Sequence, residues 1–204
     1  MSTPVRMKVA VTGGIACGKS LLTAFLRELG LRVLDADDVV HDLEGVGGAA
    51  VPALVARFGR EILASDGAID RARLAARVFA SAEQRCALEA ILFPLVRKRL
   101  SAFAAGPASP QAAPPLVVAP LLYEAHFETD YDTVVALVSS PEVQIQRMME
   151  TRGYSREHAE ARLAAQMPAA EKAARADYVI VNDSTAAHLR DEARRLVHWL
   201  QDRR

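Results

Sequence analysis

Residues 13–20 read Gly-Gly-Ile-Ala-Cys-Gly-Lys-Ser, and that G-x-x-x-x-G-K-S spacing leaves the chain few folds to choose from. The glycines let the backbone curl tightly enough for successive N–H groups to face a single anion. Lys19 adds a cation for the outer phosphates of a nucleotide, and the Ser20 hydroxyl can ligate Mg2+. A helix starting at Gly18 would aim the positive end of its dipole at the same anion. The flanks agree with this. Residues 8–12 (KVAVT) form a short apolar run suited to a buried parallel strand. Residues 21–29 carry leucines at helical spacing and are closed by Gly30. Gly13, Gly14, Ile15, Ala16, Cys17, Gly18, Lys19 and Ser20 are thus expected to cradle phosphates between a strand and a helix.

Further apolar runs continue the alternation. Residues 31–34 (LRVL) read as a second strand ending in Asp35-Ala36-Asp37-Asp38. From 38 to 104 the pattern is helical, as in Val51, Leu54, Val55 and Phe58, then Leu74, Val78 and Phe79, then Leu88, Leu92, Leu95 and Val96. Gly59 and the Asp66-Gly67 turn punctuate it. Residues 104–115, rich in proline and alanine, read as a surface connection. Residues 116–119, 133–138 and 178–182 supply three more strands, and Pro-Leu-Leu-Tyr-Glu follows the first of these at 120–124. An Arg-rich helical stretch occupies 141–175. The last helix carries Leu189, Leu196, Val197 and Leu200 on one face, with Trp199 at its edge. Strands alternating with helices imply a parallel sheet covered on both faces, with its site at the C-terminal strand ends. That rim would gather the glycine loop, Asp35 with Asp37, and residues 120–124.

Composition narrows the partners. Lys and Arg number 25, as do Asp and Glu, so there is no basic excess of the kind that nucleic acid or a membrane surface would call for. Cys17 and Cys86 stand far apart in no metal-ligand spacing, and Cys17 reads as passive filler under the loop. The five histidines form no zinc pattern. No apolar run approaches the roughly 20 residues of a membrane helix, and the N-terminal residues lack the core of a signal peptide. The expectation is a cytoplasmic protein with small-molecule partners.

Two carboxylates suggest what receives the phosphate. Asp35 and Asp37 lie two apart at a strand end, so in extended backbone both would point to one side. One could take a hydroxyl proton while the other orients substrate or a Mg2+-bound water. The competing role is helix capping, which Asp38 fits better.

GGIACGKS, VLDADDVVH, FGREIL with DGAIDRARL and VF, PLLYE, and the RLAAQ, EK and ADYVIVN segments occur in that order along nearly the whole chain. Together they resemble the dephospho-coenzyme A kinases. The glycine loop is generic; LDAD, PLLYE and the FG…DG…DR block make the resemblance specific. It implies a P-loop NTPase three-layer α/β fold, one kinase unit over 1–204. Its core would be 5–37, 116–140 and 176–204, with a helical substrate-binding insertion at 38–115 and an Arg-rich lid at 141–175. It further implies transfer of the ATP γ-phosphate to the ribose 3′-hydroxyl of dephospho-coenzyme A, with Mg2+. By position, Asp37 resembles the general base and Asp35 its orienting partner, Thr12 and His41 resemble substrate contacts, and Ala16 to Leu21 would wrap the phosphates. Lys19, Arg147 and Arg152 would supply catalytic charge.

The chain departs from the family at three places. Thr151 stands where the family's arginine is expected, one residue before Arg152; Phe93-Pro94 replaces His-Pro; and the third strand ends Val118-Ala119-Pro120 without an acidic residue. Mg2+ would then rest on Ser20, the ATP oxygens, water, and Asp35 or Asp37, with Glu124 either contributing or serving structure. Two alternatives stay open on the residues alone, a nucleoside-monophosphate-type kinase with another acceptor and a nucleotide-binding switch. Against the switch, no N-K-x-D stretch is present.

Overall fold

The structure, a computed structural model, describes residues 7–79, 81–107 and 113–203, without the side chain of Phe79. Five parallel strands make one sheet in the order β2-β3-β1-β4-β5. They are β1 Val9–Gly13, β2 Val33–Asp35, β3 Leu116–Val118, β4 Thr133–Val138 and β5 Tyr178–Val181. Each lies within two residues of its place in the sequence reading. β1 is buried along its whole length, with Val9 in register with Leu116 on one side and Thr133 on the other. Burial on both faces explains why these strands read as continuous apolar runs rather than alternating ones.

α1 (Lys19–Glu28) and α9 (Ala186–Asp202) cover one face. Their Leu22, Leu26, Leu189, Leu196 and Leu200 close over Val9, Val11, Val118, Val135 and Ile180. Each such side chain, fully buried, contributes about 1.5–3 kcal/mol. The apolar positions of α9 recur every three or four residues, and the Thr185 side chain caps the helix by accepting from His188 N. Trp199 is partly buried at the edge, its ring tilted on Tyr178 at 4.7 Å. On the other face α8 (Ala169–Ala174) packs against β4 and β1. α6 (Pro141–Arg152) and α7 (Arg156–Ala164) precede it.

The chain divides into two compact units, Met1–Asp35 with Phe103–Arg204, and Ala36–Ala102. The second unit is helical: α2 Ala36–Glu44, α3 Val51–Phe58, α4 Arg71–Phe79 and most of α5 Ala82–Ala104. Gly59 (φ 91°) ends α3, and Gly67 (φ 88°) makes the turn before α4, as their placement in the sequence predicts. The unit's buried carboxylate, Glu44, takes a hydrogen bond from Arg71 Nε at 2.8 Å.

The reading of 104–115 as surface needs correction. Ala104 and residues 113–115 are buried, Ala113 within the apolar core beneath α1 and α9. The proline-rich composition signalled an irregular path, and irregular backbone can still enter a core just before a strand. Residues 108–112 of that segment lie outside the described residues.

Candidate active site

β1 ends at Gly13 and α1 begins at Lys19, so the turn between them must be made by five residues. Ala16 (φ 57°) and Gly18 (φ 97°) both take left-handed backbone. Such alternation turns neighbouring N–H groups toward one point. The first N–H of α1 to reach a backbone acceptor is that of Leu22, on Gly18 O at 3.0 Å. The donors ahead of it face out of the helix end.

The loop's carbonyls are engaged by side chains. Lys19 Nζ donates to Gly13 O at 3.0 Å and Gly14 O at 2.7 Å. Gln144 Nε2 donates to Ile15 O at 2.5 Å, Arg147 Nη1 to Ala16 O at 3.4 Å, and Asn182 Nδ2 to Cys17 O at 2.9 Å. Five consecutive carbonyls are engaged, Ile15 N–H is taken by Gln166 Oε1 and Cys17 N–H by Gly14 O, and the N–H groups of Ala16 and of Gly18 to Leu21, with no hydrogen bond among the described residues, remain for an anion. Glycine is required at Gly13, where a Cβ would fall 2.3 Å from the backbone oxygen of Leu137; a Cβ on Gly14 would fall 2.5 Å from Gln144 Nε2 and force that side-chain amide to shift.

Cys17 is fully buried beneath the loop, as expected of filler. Burial pushes its thiol pKa up, against the pull of the Lys19 cation, so it stays a thiol at neutral pH. Ser20 and Leu21 are exposed in the first turn of α1. Thr12 is buried at the end of β1, and its hydroxyl donates to Pro120 O at 3.3 Å.

The same Pro120 carbonyl receives Lys172 Nζ of α8 at 2.8 Å. Lys172 is fully buried and pairs with Glu124 at 2.9 Å, while Glu124 also accepts from Met167 N at 3.1 Å. Glu124, which the sequence left between metal and structure, is therefore engaged in a buried ion pair.

The aspartates do not form the extended pair expected of them. Asp35 ends β2, but the chain turns helical at Ala36, and Asp37 sits exposed in the first turn of α2. In a helix two residues subtend more than half a turn, so the side chains at 35 and 37 no longer share a side. Asp37 and Asp38 instead sit where the helix dipole favours negative charge. His41 is exposed in the last turn of α2. Asp35 is in register with Val118, so the end of β3, which lacks an acid of its own, has one on the neighbouring strand.

Arg147 donates to the loop at Ala16 O, and it also donates to Ser139 Oγ at 3.2 Å. Arg152 is exposed at the end of α6, without a hydrogen-bond or ion-pair partner among the described residues. Arg156 is bidentate on Glu142 (2.6 and 3.2 Å), and Arg162 Nε donates to His158 at 3.3 Å. The sequence reading assigned no role to Gln144, nor to Gln166, Lys172 and Asn182, which it met only within the RLAAQ, EK and ADYVIVN segments. For Gln144 a signal existed: it is a polar residue on the buried side of α6, with Ile145 and Met148. Among the described residues, no three His, Cys, Asp or Glu side chains cluster as metal ligands, and no helix is long and apolar enough to cross a membrane.

Comparison with known proteins adds an independent finding. A family profile described as dephospho-CoA kinase matches residues 7–188. The dephospho-CoA kinase of Geobacillus kaustophilus is 40% identical over 93% of this chain and 92% of its own. Among solved structures, TT1252 from Thermus thermophilus superposes with a TM-score of 0.76 at 31% identity, covering 94% of this chain and 96% of that one. Dephospho-CoA kinase from Campylobacter jejuni superposes at 0.63 with 25% identity, over 94% and 96% of the two chains.

Proposed function

Because the chain belongs to the dephospho-CoA kinase family, we infer that it is a kinase moving the γ-phosphate of ATP to the ribose 3′-hydroxyl of dephospho-coenzyme A, the final step of coenzyme A formation. The observation that carries the reading is the loop of residues 13–20. Its carbonyls are engaged, and the N–H groups of Ala16 and of Gly18 to Leu21 are left for a polyanion. Phosphoryl transfer needs little covalent chemistry from a protein; it needs alignment and neutralised charge. The loop aligns the donor's phosphates, with Gly13 to Leu21 around them. Lys19, Arg147 and Arg152 balance the charge that develops on the transferring group. Asp37 takes the proton of the acceptor hydroxyl, and Asp35, Thr12 and His41 orient the acceptor. The helical unit binds the acceptor, and residues 141–175 serve as the lid.

Mg2+ fits the residues present. Its preference for oxygen, and for keeping most of its own waters, calls for few protein ligands. The exposed Ser20 hydroxyl at the start of α1 is one, with the ATP oxygens and Asp35 or Asp37 to complete the set. Bound there, the ion supplies charge neutralisation across the phosphates. Equal acidic and basic counts favour small-molecule partners over nucleic acid, and a cytoplasmic setting is consistent with them.

The test is ADP release from Mg2+-ATP with and without dephospho-coenzyme A, with the product weighed by mass spectrometry. Acceptor-dependent ADP and a product one phosphate heavier are expected. Slow ADP release indifferent to the acceptor would remove the substrate assignment. In the same assay Asp37→Asn should lower turnover by about 10²-fold or more while ATP affinity holds; near-normal turnover would remove Asp37 as the base.

A further inference from the structure

Ile15 is gripped twice, and both grips come from the same stretch of chain. Its carbonyl accepts from Gln144 Nε2 at 2.5 Å, and its N–H donates to Gln166 Oε1 at 2.9 Å. One peptide-bearing residue of the loop thus has both backbone groups satisfied by side chains from 141–175. Gln144 is 1% exposed, and its Oε1 has no hydrogen-bond partner among the described residues. Native proteins leave few such atoms orphaned, and each carries an energetic cost. Turning the amide over would bring Oε1 against the Ile15 carbonyl oxygen, two acceptors facing each other. The orientation is therefore fixed by the bond to Ile15. Gly14 supplies the room, since a Cβ there would collide with the same Nε2.

Directly after Ile15 comes Ala16 in left-handed backbone at φ 57°. A non-glycine residue persists there only where its surroundings over-determine it. The bonds on Ile15 and the Arg147 bond on Ala16 O do so.

We propose that Gln144 and Gln166 are positioning residues for phosphoryl transfer. They fix the Ile15 peptide and, through it, the arch of the loop that receives the ATP phosphates. The inference rests on the kinase reading above and adds two residues to it.

The two roles differ in direction, and that makes them testable. Gln166 is an acceptor, so Gln166→Glu keeps its function while Gln166→Met, of similar shape, removes it. Gln144 is a donor, so Gln144→Glu sets an oxygen against Ile15 O. Steady-state kinetics with each substrate varied, ADP affinity by calorimetry and thermal unfolding are measured for each variant. Gln166→Met and Gln144→Glu should raise KM for ATP and weaken ADP binding by about tenfold, with KM for dephospho-coenzyme A unchanged. Gln166→Glu should return both to within about threefold of the unsubstituted enzyme. Equal values for Gln166→Met and Gln166→Glu, or an unchanged KM for ATP in Gln144→Glu, would overturn the proposal. Should Gln144→Glu fail to fold, Gly14→Ala displaces the same amide and carries the same expectation. Acceptor-dependent ADP release by the unsubstituted enzyme tests the kinase reading alone, and ADP affinities still compare the variants if that reading fails.

Discussion

Within residues 141–175 two regions are built on different chemistry. Near the sheet, Gln144, Arg147, Gln166 and Lys172 reach the phosphate loop and Pro120 through buried or half-buried bonds. At the outer end, Arg156 pairs with exposed Glu142 and Glu160, Tyr154 stacks on His158 at 4.3 Å, and Arg162 turns back to the same histidine. These outer contacts stay within the stretch itself. Water screens them, and such pairs add little. The inner bonds sit where desolvation makes an orphaned group costly. Of the arginines that give the stretch its character in the sequence, Arg147 and Arg175 reach beyond it, Arg175 to Glu128 at 2.8 Å and over the Tyr123 ring, whereas Arg156 is paired only with exposed acids of the stretch itself. Gln144, Gln166, Lys172 and these two arginines tie it to the sheet unit.

Three substitutions break or sharpen this contrast. The largest effect belongs to Arg147→Ala, which removes a cation beside the loop and should lower kcat/KM for ATP by about 10³-fold. A loss under about tenfold in the ADP assay would detach Arg147 from the inner set. Next, Lys172→Met leaves Glu124 half-buried without its cation. The expected cost is about 3 kcal/mol, a fall in the thermal midpoint on the order of 10 °C by circular dichroism. An unchanged midpoint would mean the buried pair holds nothing. Smallest is Arg156→Ala, which should change kcat/KM by less than about threefold. A loss as large as that of Arg147→Ala would place the outer end in the chemistry and erase the distinction.

What was legible in the sequence follows the range of the interactions. The strand, loop and helix of residues 8–29 are specified by neighbours, glycine against lysine and leucine against leucine. The parallel sheet followed from alternation. The extended pairing of Asp35 with Asp37 was misread because Asp-Ala-Asp-Asp fits both a strand end and an acidic first helical turn, and only the backbone at Ala36 decides. The role of Lys172 was not legible, although the EK segment that contains it is part of the resemblance. Lysine is almost never fully buried unless paired, and its partners, Glu124 and Pro120, lie far back along the chain. Asn182 and the glutamines escaped for the same reason: each acts on a loop more than a hundred residues away.

The strand order also governs how the protein is made. β1 stands between β3 and β4, so the strand that carries the phosphate loop has no neighbour until residues 14–115 have all been synthesised. At about 5–20 residues per second, Val9 and Val11 spend several seconds on the ribosome as an unpaired apolar strand of the kind chaperones hold. Ala36–Ala102, contiguous in the chain, is complete by then. The loop waits longer still, for Gln144, Gln166 and finally Asn182. The first functional motif to leave the ribosome is among the last to take its shape.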